Sequence, residues 1–580
     1  MPDENTKRIV IDPLTRIEGH LRIELEAGDG VVKNAWACTT QYRGIEVVMK
    51  NRDPRDAWAF AQRICGVCTA VHALASIVAV EDAVTYRVPE QARLIRDLIS
   101  LMQIVQDHVI HFYHLQALDW VDVVSAVSAD PADTAKLQMS LSPAWPLNSR
   151  AYFASVQEKI KNSTAGGQYS IFSNGYWGHP AYQLPPAVNL LAVTHYLEAL
   201  EWQREVIKLH TIFGGKNPHP NFLVGGMACA INLDADLTIN QIRLDQIRDL
   251  VERAAAFVEQ VYYPDVLAIA GLYPDWFHIG ASNPNLMAVG DAGALLTGPP
   301  QPTGSIHPGL LLDGDYHTVV PFDMKKIAEY ITSAWYSYPQ GDQTGLPPWQ
   351  GVTEARYTGP KPPYQWLASN ERYTWTKAPR YDGHAVAVGP NARVMLGYAQ
   401  GDIEIKELVD DALNRLKAPL DPGLLNSTLG RIFCRAAESV VAARRMRTAF
   451  TQFVDRIKGG EVTTFNSSKW EPSSWPKSCR GVGWLEAPRG TLSHWVVIED
   501  GAIANYQAVV PSTWNSSGRD ATGQMGPFEY SLAQSGSHPL GDPTKPLEVL
   551  RTIHSFDPCQ SCAVQILDKA HARNLEVKVQ

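Results

Sequence analysis

Apolar residues recur at helical spacing along four long stretches of the chain. Over 91–124 the positions Leu94, Ile95, Leu98, Ile99, Leu101, Met102, Val105, Val109, Phe112 and Leu115 form one stripe, which predicts a single long helix. Similar spacing marks 188–213, 240–270 and 427–457, each ending near Gly or Pro. Four such helices predict a bundle. Alternating segments at 20–26 and 31–39 flank Gly28-Asp29-Gly30, and 492–498 and 502–510 flank Glu499-Asp500-Gly501, so each pair predicts a β-hairpin. The Pro/Gly/Trp-rich stretches 271–321 and 346–379 are too apolar for linkers and too broken for long elements, and read as packed irregular loops. No repeat of 20 to 50 residues appears, nor any charged or Ser/Gly-rich linker. The expected fold class is α+β, a large single intertwined unit in which a central bundle of long helices carries small peripheral sheets and hairpins.

Composition narrows the function. The chain has 580 residues, of which 45% are hydrophobic and 19% charged, as a folded globular protein requires. A net charge of −9 with no basic track argues against a nucleic-acid partner. No apolar run reaches the roughly 18 residues of a membrane span, and the opening MPDENTKRIVIDP lacks a signal-peptide core, so export would need another carrier.

Eight cysteines are too few for a disulfide framework. Four of them form two pairs near opposite ends, Cys65-Gly-Val-Cys68 and Cys559-Gln-Ser-Cys562. Two C-x-x-C pairs supply a tetrahedral thiolate set for zinc or iron. A structural zinc knot usually takes its pairs from one short stretch that lacks a core, whereas ligands from both ends assemble only when the whole fold closes. Spacing alone leaves structural zinc, a thiol redox pair and a functional metal centre open. Cys38, Cys229, Cys434 and Cys479 have no such partner and are expected to be buried. His108, His111 and His114 drift around their helix, which argues against a shared metal.

The neighbouring residues resolve the choice. Arg63-Ile-Cys-Gly-Val-Cys-Thr-Ala-Val-His72, Ser555-Phe-Asp-Pro-Cys-Gln-Ser-Cys562 and Arg16-Ile-Glu-Gly-His20 resemble signature blocks of the nickel-iron hydrogenase large subunit. The resemblance runs the length of the chain, through Arg43-Gly-Ile-Glu46, Asp107-His108 before Phe112-Tyr113, Gly214-Gly-Lys-Asn-Pro-His219 with Gly225-Gly226, Glu486-Ala-Pro-Arg-Gly490 and Val510-Pro-Ser-Thr513. Respiratory complex I subunits share the fold but lack the four cysteines.

The resemblance implies heterolytic, reversible oxidation of dihydrogen at a nickel-iron centre whose iron carries carbon monoxide and cyanide. It makes Cys65 and Cys559 terminal ligands of nickel and Cys68 and Cys562 bridging ligands, with Cys559 the first proton acceptor and Glu18 the next. Arg489, Asp107 and Asp557 form a charged canopy, Pro488 and Pro511 shape the pocket, Ser512 bonds a cyanide and His72 contacts a bridging sulfur. A Mg2+ ion is expected on Glu46, the Ala508 carbonyl and Gln565. The family usually has histidine at that last position, but a glutamine amide oxygen also suits a hard cation. The tail 566–580 matches the segment that an endopeptidase removes after metal insertion with a maturation chaperone, leaving 1–565. An iron-sulfur small subunit supplies the electron route, in a heterodimer or dimer of heterodimers, with a membrane cytochrome or other acceptor beyond it. The expected location is the periplasmic side of the cytoplasmic membrane, reached through the partner, with the cytoplasm as alternative. A hydrogen sensor shares the ligands but usually lacks the removable tail, and a structural zinc protein is told apart by metal analysis.

Overall fold

The computed structural model describes residues 6–165, 169–173, 175–359, 366–367 and 371–563, with the backbone alone for 170, 562 and 563. Its helical centre is built from α1 (Val71–Ala83), α2 (Glu90–Ile110), α3 (Pro186–Val206), α4 (Gln241–Phe257), α5 (Thr428–Lys458) and α6 (Leu547–Ser555). Helices α2 and α5 pack along each other, and α4 and α6 also lie against α5. Residues such as Leu94, Leu98, Met102 and Val105 on α2 and Ile432, Ala436 and Ala443 on α5 are buried in one large core. Helix α5 starts where the Ser427 hydroxyl accepts the Gly430 N–H at 3.0 Å, satisfying a donor that the first turn leaves free.

The four helical stretches are present, but three are interrupted. Past Ile110 the first widens into a π turn over His111–Gln116 and closes in a 3-10 turn at Asp119, short of residue 124. The third passes through a π turn, Val258–Tyr262, before continuing as Tyr263–Ala270, where Pro264 has no N–H to give and the wide turn removes the need for one. The second breaks at Ile207 and resumes as Lys208–Gly214. One extra residue in a wide turn barely alters the apolar spacing, so periodicity cannot reveal it.

Both hairpins form. Strands β1 (Lys7–Ile11), β2 (Leu21–Gly28) and β3 (Val31–Thr39) make an antiparallel sheet in chain order, and the turn residues Asp29 and Gly30 both take positive φ, as a two-residue hairpin turn demands. Strands β4 (Leu295–Thr297), β5 (Ser478–Ala487), β6 (Gly490–Glu499) and β7 (Ala502–Val509) form an antiparallel sheet ordered β7-β6-β5-β4. Helix α1 lies directly on β5. A Cβ at Gly481 or Gly483 would stand 2.2 Å from the carbonyl oxygen of Ala79 or Ala75, so only glycine allows this approach. Shorter strands, Leu286–Ala288, Gly309–Leu311 and Ala378–Tyr381 among them, give the two irregular stretches their order.

A second core joins the chain ends, with Leu21, Ile23 and Leu25 of β2 packed among Val549, Leu550 and Ile553 of α6. Among the described residues no helix is long and apolar enough to cross a membrane. Cys38 and Cys434 are buried as expected, but Cys229 and Cys479 are only half-buried, because each lies beside the surface. His108, His111 and His114 bond separately to Glu438, the His554 carbonyl and the Tyr196 carbonyl.

Burial pushes His114, His210 and His538 down to about 4 from 6.5, so the fold holds them neutral. Between these values the unfolded chain binds more protons than the native one, so stability is complete above about pH 6.5 and falls as pH drops towards 4. Calorimetric melting midpoints should follow that slope, and a midpoint flat across the window would contradict the burial of these rings.

Candidate metal centre

Cys65 is extended and follows a 3-10 turn, Gln62–Ile64. The Cys68 N–H points back to Cys65 Sγ at 3.2 Å, and the Cys68 carbonyl accepts the N–H of Val71 at the start of α1. That helix start, positive in its dipole, favours thiolate over thiol nearby. Cys559 arrives from the other end of the chain, 494 positions away, yet its Sγ lies 3.4 Å from Cys65 Sγ. The sulfurs of Cys65, Cys68 and Cys559 all lie within 4.8 Å of one another, buried and free of disulfides. Three soft donors so placed suit a thiophilic metal. The side chain of Cys562 and the whole of Gln565 lie outside the described residues.

Cys559 is held from two sides. Its N–H donates to Ser512 Oγ at 3.1 Å, and the next N–H, of Gln560, donates to the Glu18 carbonyl at 2.7 Å. Gly19, at φ +83°, makes this possible, since a Cβ there would sit 2.4 Å from the Ser561 nitrogen. Glu18 is half-buried. Burial, then the Cys65 thiolate, raises its pKa, while the Ser561 hydroxyl draws it back.

The β5–β6 hairpin ends in a two-residue tip, Pro488-Arg489, since Ala487 pairs with Gly490. Arg489 Nη2 meets Asp557 Oδ1 at 2.9 Å, Nε donates to the Asp557 carbonyl at 3.0 Å, and Nη1 faces Asp107 Oδ2 at 3.4 Å. Gln103, one helical turn before Asp107 on α2, donates to Asp107 Oδ1 at 2.7 Å. The two carboxyls diverge. Burial drives Asp107 well above the ordinary range, whereas at Asp557 the nearby Arg489, with His111 and Arg435, outweighs burial and keeps the pKa low.

A small buried cavity lies against Cys68, walled by His72, Pro488, Arg489, Pro511 and Ser512. It has one cationic side, from Arg489, and one hydroxyl, from Ser512. His72 Nδ1 lies 3.0 Å from His494 Nε2, whose other nitrogen meets the Tyr506 hydroxyl at 2.5 Å, and burial lowers the His72 pKa to about 4.

A family model described as nickel-dependent hydrogenase matches residues 43–565. The chain belongs to the nickel-dependent hydrogenases. A second model, described as HoxL-like, matches 8–42. The uptake hydrogenase large subunit of Bradyrhizobium diazoefficiens is 49% identical, covering 100% of this chain and 98% of that protein. The hydrogenase-1 large chain of Escherichia coli K12 is 45% identical over 99% and 97%. The reduced Ni-Fe-Se hydrogenase of Desulfovibrio vulgaris Hildenborough superposes with a TM-score of 0.74 at 30% identity, covering 96% of this chain and 100% of that one.

In this nickel-dependent hydrogenase the fold thus gathers Glu18, His72, Asp107, Pro488, Arg489, Pro511, Ser512 and Asp557 around the three sulfurs. Glu46 and Ala508 also meet, through the Ala508 N–H, which donates to Glu46 Oε1 at 3.0 Å. In an extended strand the N–H and carbonyl of one residue point to the same edge, so the expected Ala508 carbonyl faces the Glu46 side as well. Glu46 Oε2 accepts from Thr353 and faces Lys377 Nζ at 3.7 Å, a buried cation that also lies 3.7 Å from Glu329. Lys377 and His494 carry no sequence signal, whereas Gln103 is readable from its four-residue spacing to Asp107.

Removing the arginine leaves the Asp557 charge buried and unpaired, so Arg489→Met should lower unfolding free energy by about 3–5 kcal/mol. Asp107→Asn alters a carboxyl that burial already drives towards neutrality and should cost only about 1 kcal/mol. Urea unfolding followed by tryptophan fluorescence checks the order, and equal losses would refute it.

Proposed function

We propose that this chain is the catalytic large subunit of a nickel-iron hydrogenase of the uptake type, oxidising dihydrogen reversibly and passing electrons to an iron-sulfur small subunit. The observation that carries the reading is the convergence of Cys65, Cys68 and Cys559 sulfurs in a chain of this family. The thiolates of Cys65, Cys68, Cys559 and Cys562 would hold the nickel-iron centre. When bound, the centre, with carbon monoxide and cyanide on iron, supplies heterolytic cleavage of dihydrogen.

The chain's own residues then manage charge and protons. Cys559 Sγ accepts the proton and Glu18 takes it onward, a step that its raised pKa favours because the carboxyl holds a proton more readily than an ordinary glutamate does. Arg489 lends positive charge to the thiolate side, while Asp107 and Asp557 fix its guanidinium. Pro488 and Pro511 keep water out of the cavity. Ser512 Oγ accepts the Cys559 N–H, and its hydroxyl would donate to a cyanide of the bound centre. His72, fixed by His494, lines the same cavity as Cys68 and would contact that sulfur in the bound centre. Glu46, the Ala508 carbonyl and Gln565 would hold Mg2+ as a structural ion.

Among the described residues the only metal-competent cluster is the one at Cys65, so electrons leave through the partner's iron-sulfur clusters. Gly66, between two ligands, is exposed and Val67 half-buried, which brings a docked surface within one residue of the sulfurs. The mature chain is one unit of residues 1–565 after removal of 566–580, matured with a chaperone and an endopeptidase. Carried by the partner, it works on the periplasmic side of the cytoplasmic membrane, supplying a cytochrome.

The purified heterodimer should contain one nickel and one iron per large subunit and show infrared bands of iron-bound carbon monoxide and cyanide. Zinc alone would overturn the assignment. Glu18→Gln should keep those bands while cutting dihydrogen oxidation by about 10²–10⁴-fold. Separately, mass spectrometry of the active enzyme should place the C-terminus at Gln565, and intact Gln580 would contradict the processing step.

A further inference from the structure

Next to the Pro488-Arg489 tip lies a buried charged network with no role in the reading above. Arg393 is at its centre and uses all five of its N–H groups. Nε donates to Glu438 Oε2 at 2.9 Å and Nη2 to Glu438 Oε1 at 2.6 Å. Nη1 donates to Glu486 Oε2 at 2.8 Å and to the Ala487 carbonyl at 2.9 Å, and Nη2 also reaches the Pro488 carbonyl at 3.3 Å. Arg393 thus grips two consecutive carbonyls immediately before Arg489. Glu486 is itself fixed, accepting the Val289 N–H at 2.8 Å and the Thr491 hydroxyl at 2.6 Å.

The other arm of the network reaches the opposite side of the canopy. Glu438 Oε1 also bonds His108 Nε2, and His108 follows Asp107 directly on α2. One carboxylate on α5 therefore ties the element bearing Asp107 to the guanidinium that holds the turn bearing Arg489. The depth of the tip is set separately, by backbone contact: a Cβ on Gly490 would lie 2.7 Å from the Gly389 nitrogen. What contact leaves undetermined is the rotation of the tip, and a planar fork bonded to two successive carbonyls fixes rotation where a point charge does not.

We propose that Arg393, held by Glu438 and Glu486, is the positioning residue that fixes the Pro488-Arg489 tip over the sulfur ligands, and that Glu438 extends the same restraint to Asp107 through His108. The inference rests on the nickel-iron reading of the site, because the tip walls the cavity assigned to the iron's diatomic ligands. Lysine at position 393 would keep the charge but could not grip both carbonyls, so the tip would turn and Arg489 would shift against Asp557.

The test uses the purified heterodimer carrying Arg393→Lys, with Glu438→Gln as the milder variant that keeps side-chain shape and one acceptor oxygen. The expected result for R393K is unchanged nickel and iron content, cyanide infrared bands displaced beyond their linewidth, and kcat for dihydrogen oxidation lower by about tenfold to a hundredfold. The KM for dihydrogen should stay at the wild-type value, because a turned Arg489 affects charge separation and not gas entry. E438Q should displace the same bands with a smaller loss of kcat. Bands and kcat both at wild-type values in metal-loaded R393K would overturn the positioning role, and so would loss of metal from both variants, which would make the network purely structural. Absence of diatomic bands from the wild-type protein is a different failure, since it removes the nickel-iron reading itself.

Discussion

Thiols from residues 65, 68 and 559 can meet only if the two ends of the chain are packed against each other, and much of the architecture serves that closure. The β2–β3 hairpin buries its inner face against α6, Thr39 Oγ1 donates to Gln560 Oε1 at 2.6 Å, and His554 bonds both Asp119 and the Thr15 carbonyl. Closing a loop of nearly the whole chain is less costly than it looks, because closure entropy grows only with the logarithm of loop length. The difficulty lies in precision. A metal ligand set tolerates little error, which is why the last approach, Glu18 to Cys559, is made by backbone bonds beside a glycine and not by long side chains.

Closure also concentrates charge. Three buried sulfurs that ionise together would repel one another, so the site requires positive charge from elsewhere. The start of α1 gives a partial one and Arg489 a full one, and the arginine's pKa is pushed up by Asp557 and Cys559 against the effect of burial. Arg489 is shared between carboxyls of different character, with Asp557 ionised and Asp107 driven towards its neutral form. A guanidinium so held cannot turn towards solvent, and its field stays aimed at the sulfurs.

How much of this could be read from sequence depended on the kind of signal. The two C-x-x-C pairs and the blocks around them located the site, since metal ligation restricts residue type and spacing together. The long helices were legible because α2 and α5 bury a continuous stripe, and the hairpins because Asp29-Gly30 and Asp500-Gly501 both occupy positive-φ turns. The π turns after Ile110 and Phe257 were not, since an added residue leaves the stripe intact. Arg393, Glu438 and Lys377 were also invisible. Each is a charged residue that pattern alone assigns to the surface, and only the assembled fold shows it buried against an opposite charge.

That last group bears on why the core holds so many charges at all. Replacing a buried ion-pair network by well-packed apolar residues is often neutral or even stabilising, so Arg393 with Glu438 and Glu486 is not explained by stability. Apolar side chains could fill the same volume. They could not satisfy the Ala487 and Pro488 carbonyls, which the two-residue tip leaves facing the interior, nor set the orientation of the residue that follows. The network lies where backbone direction, more than packing, determines the chemistry. A hairpin tip carrying a cation over the sulfurs has to be fixed by directional bonds, and a buried arginine with five donors provides them.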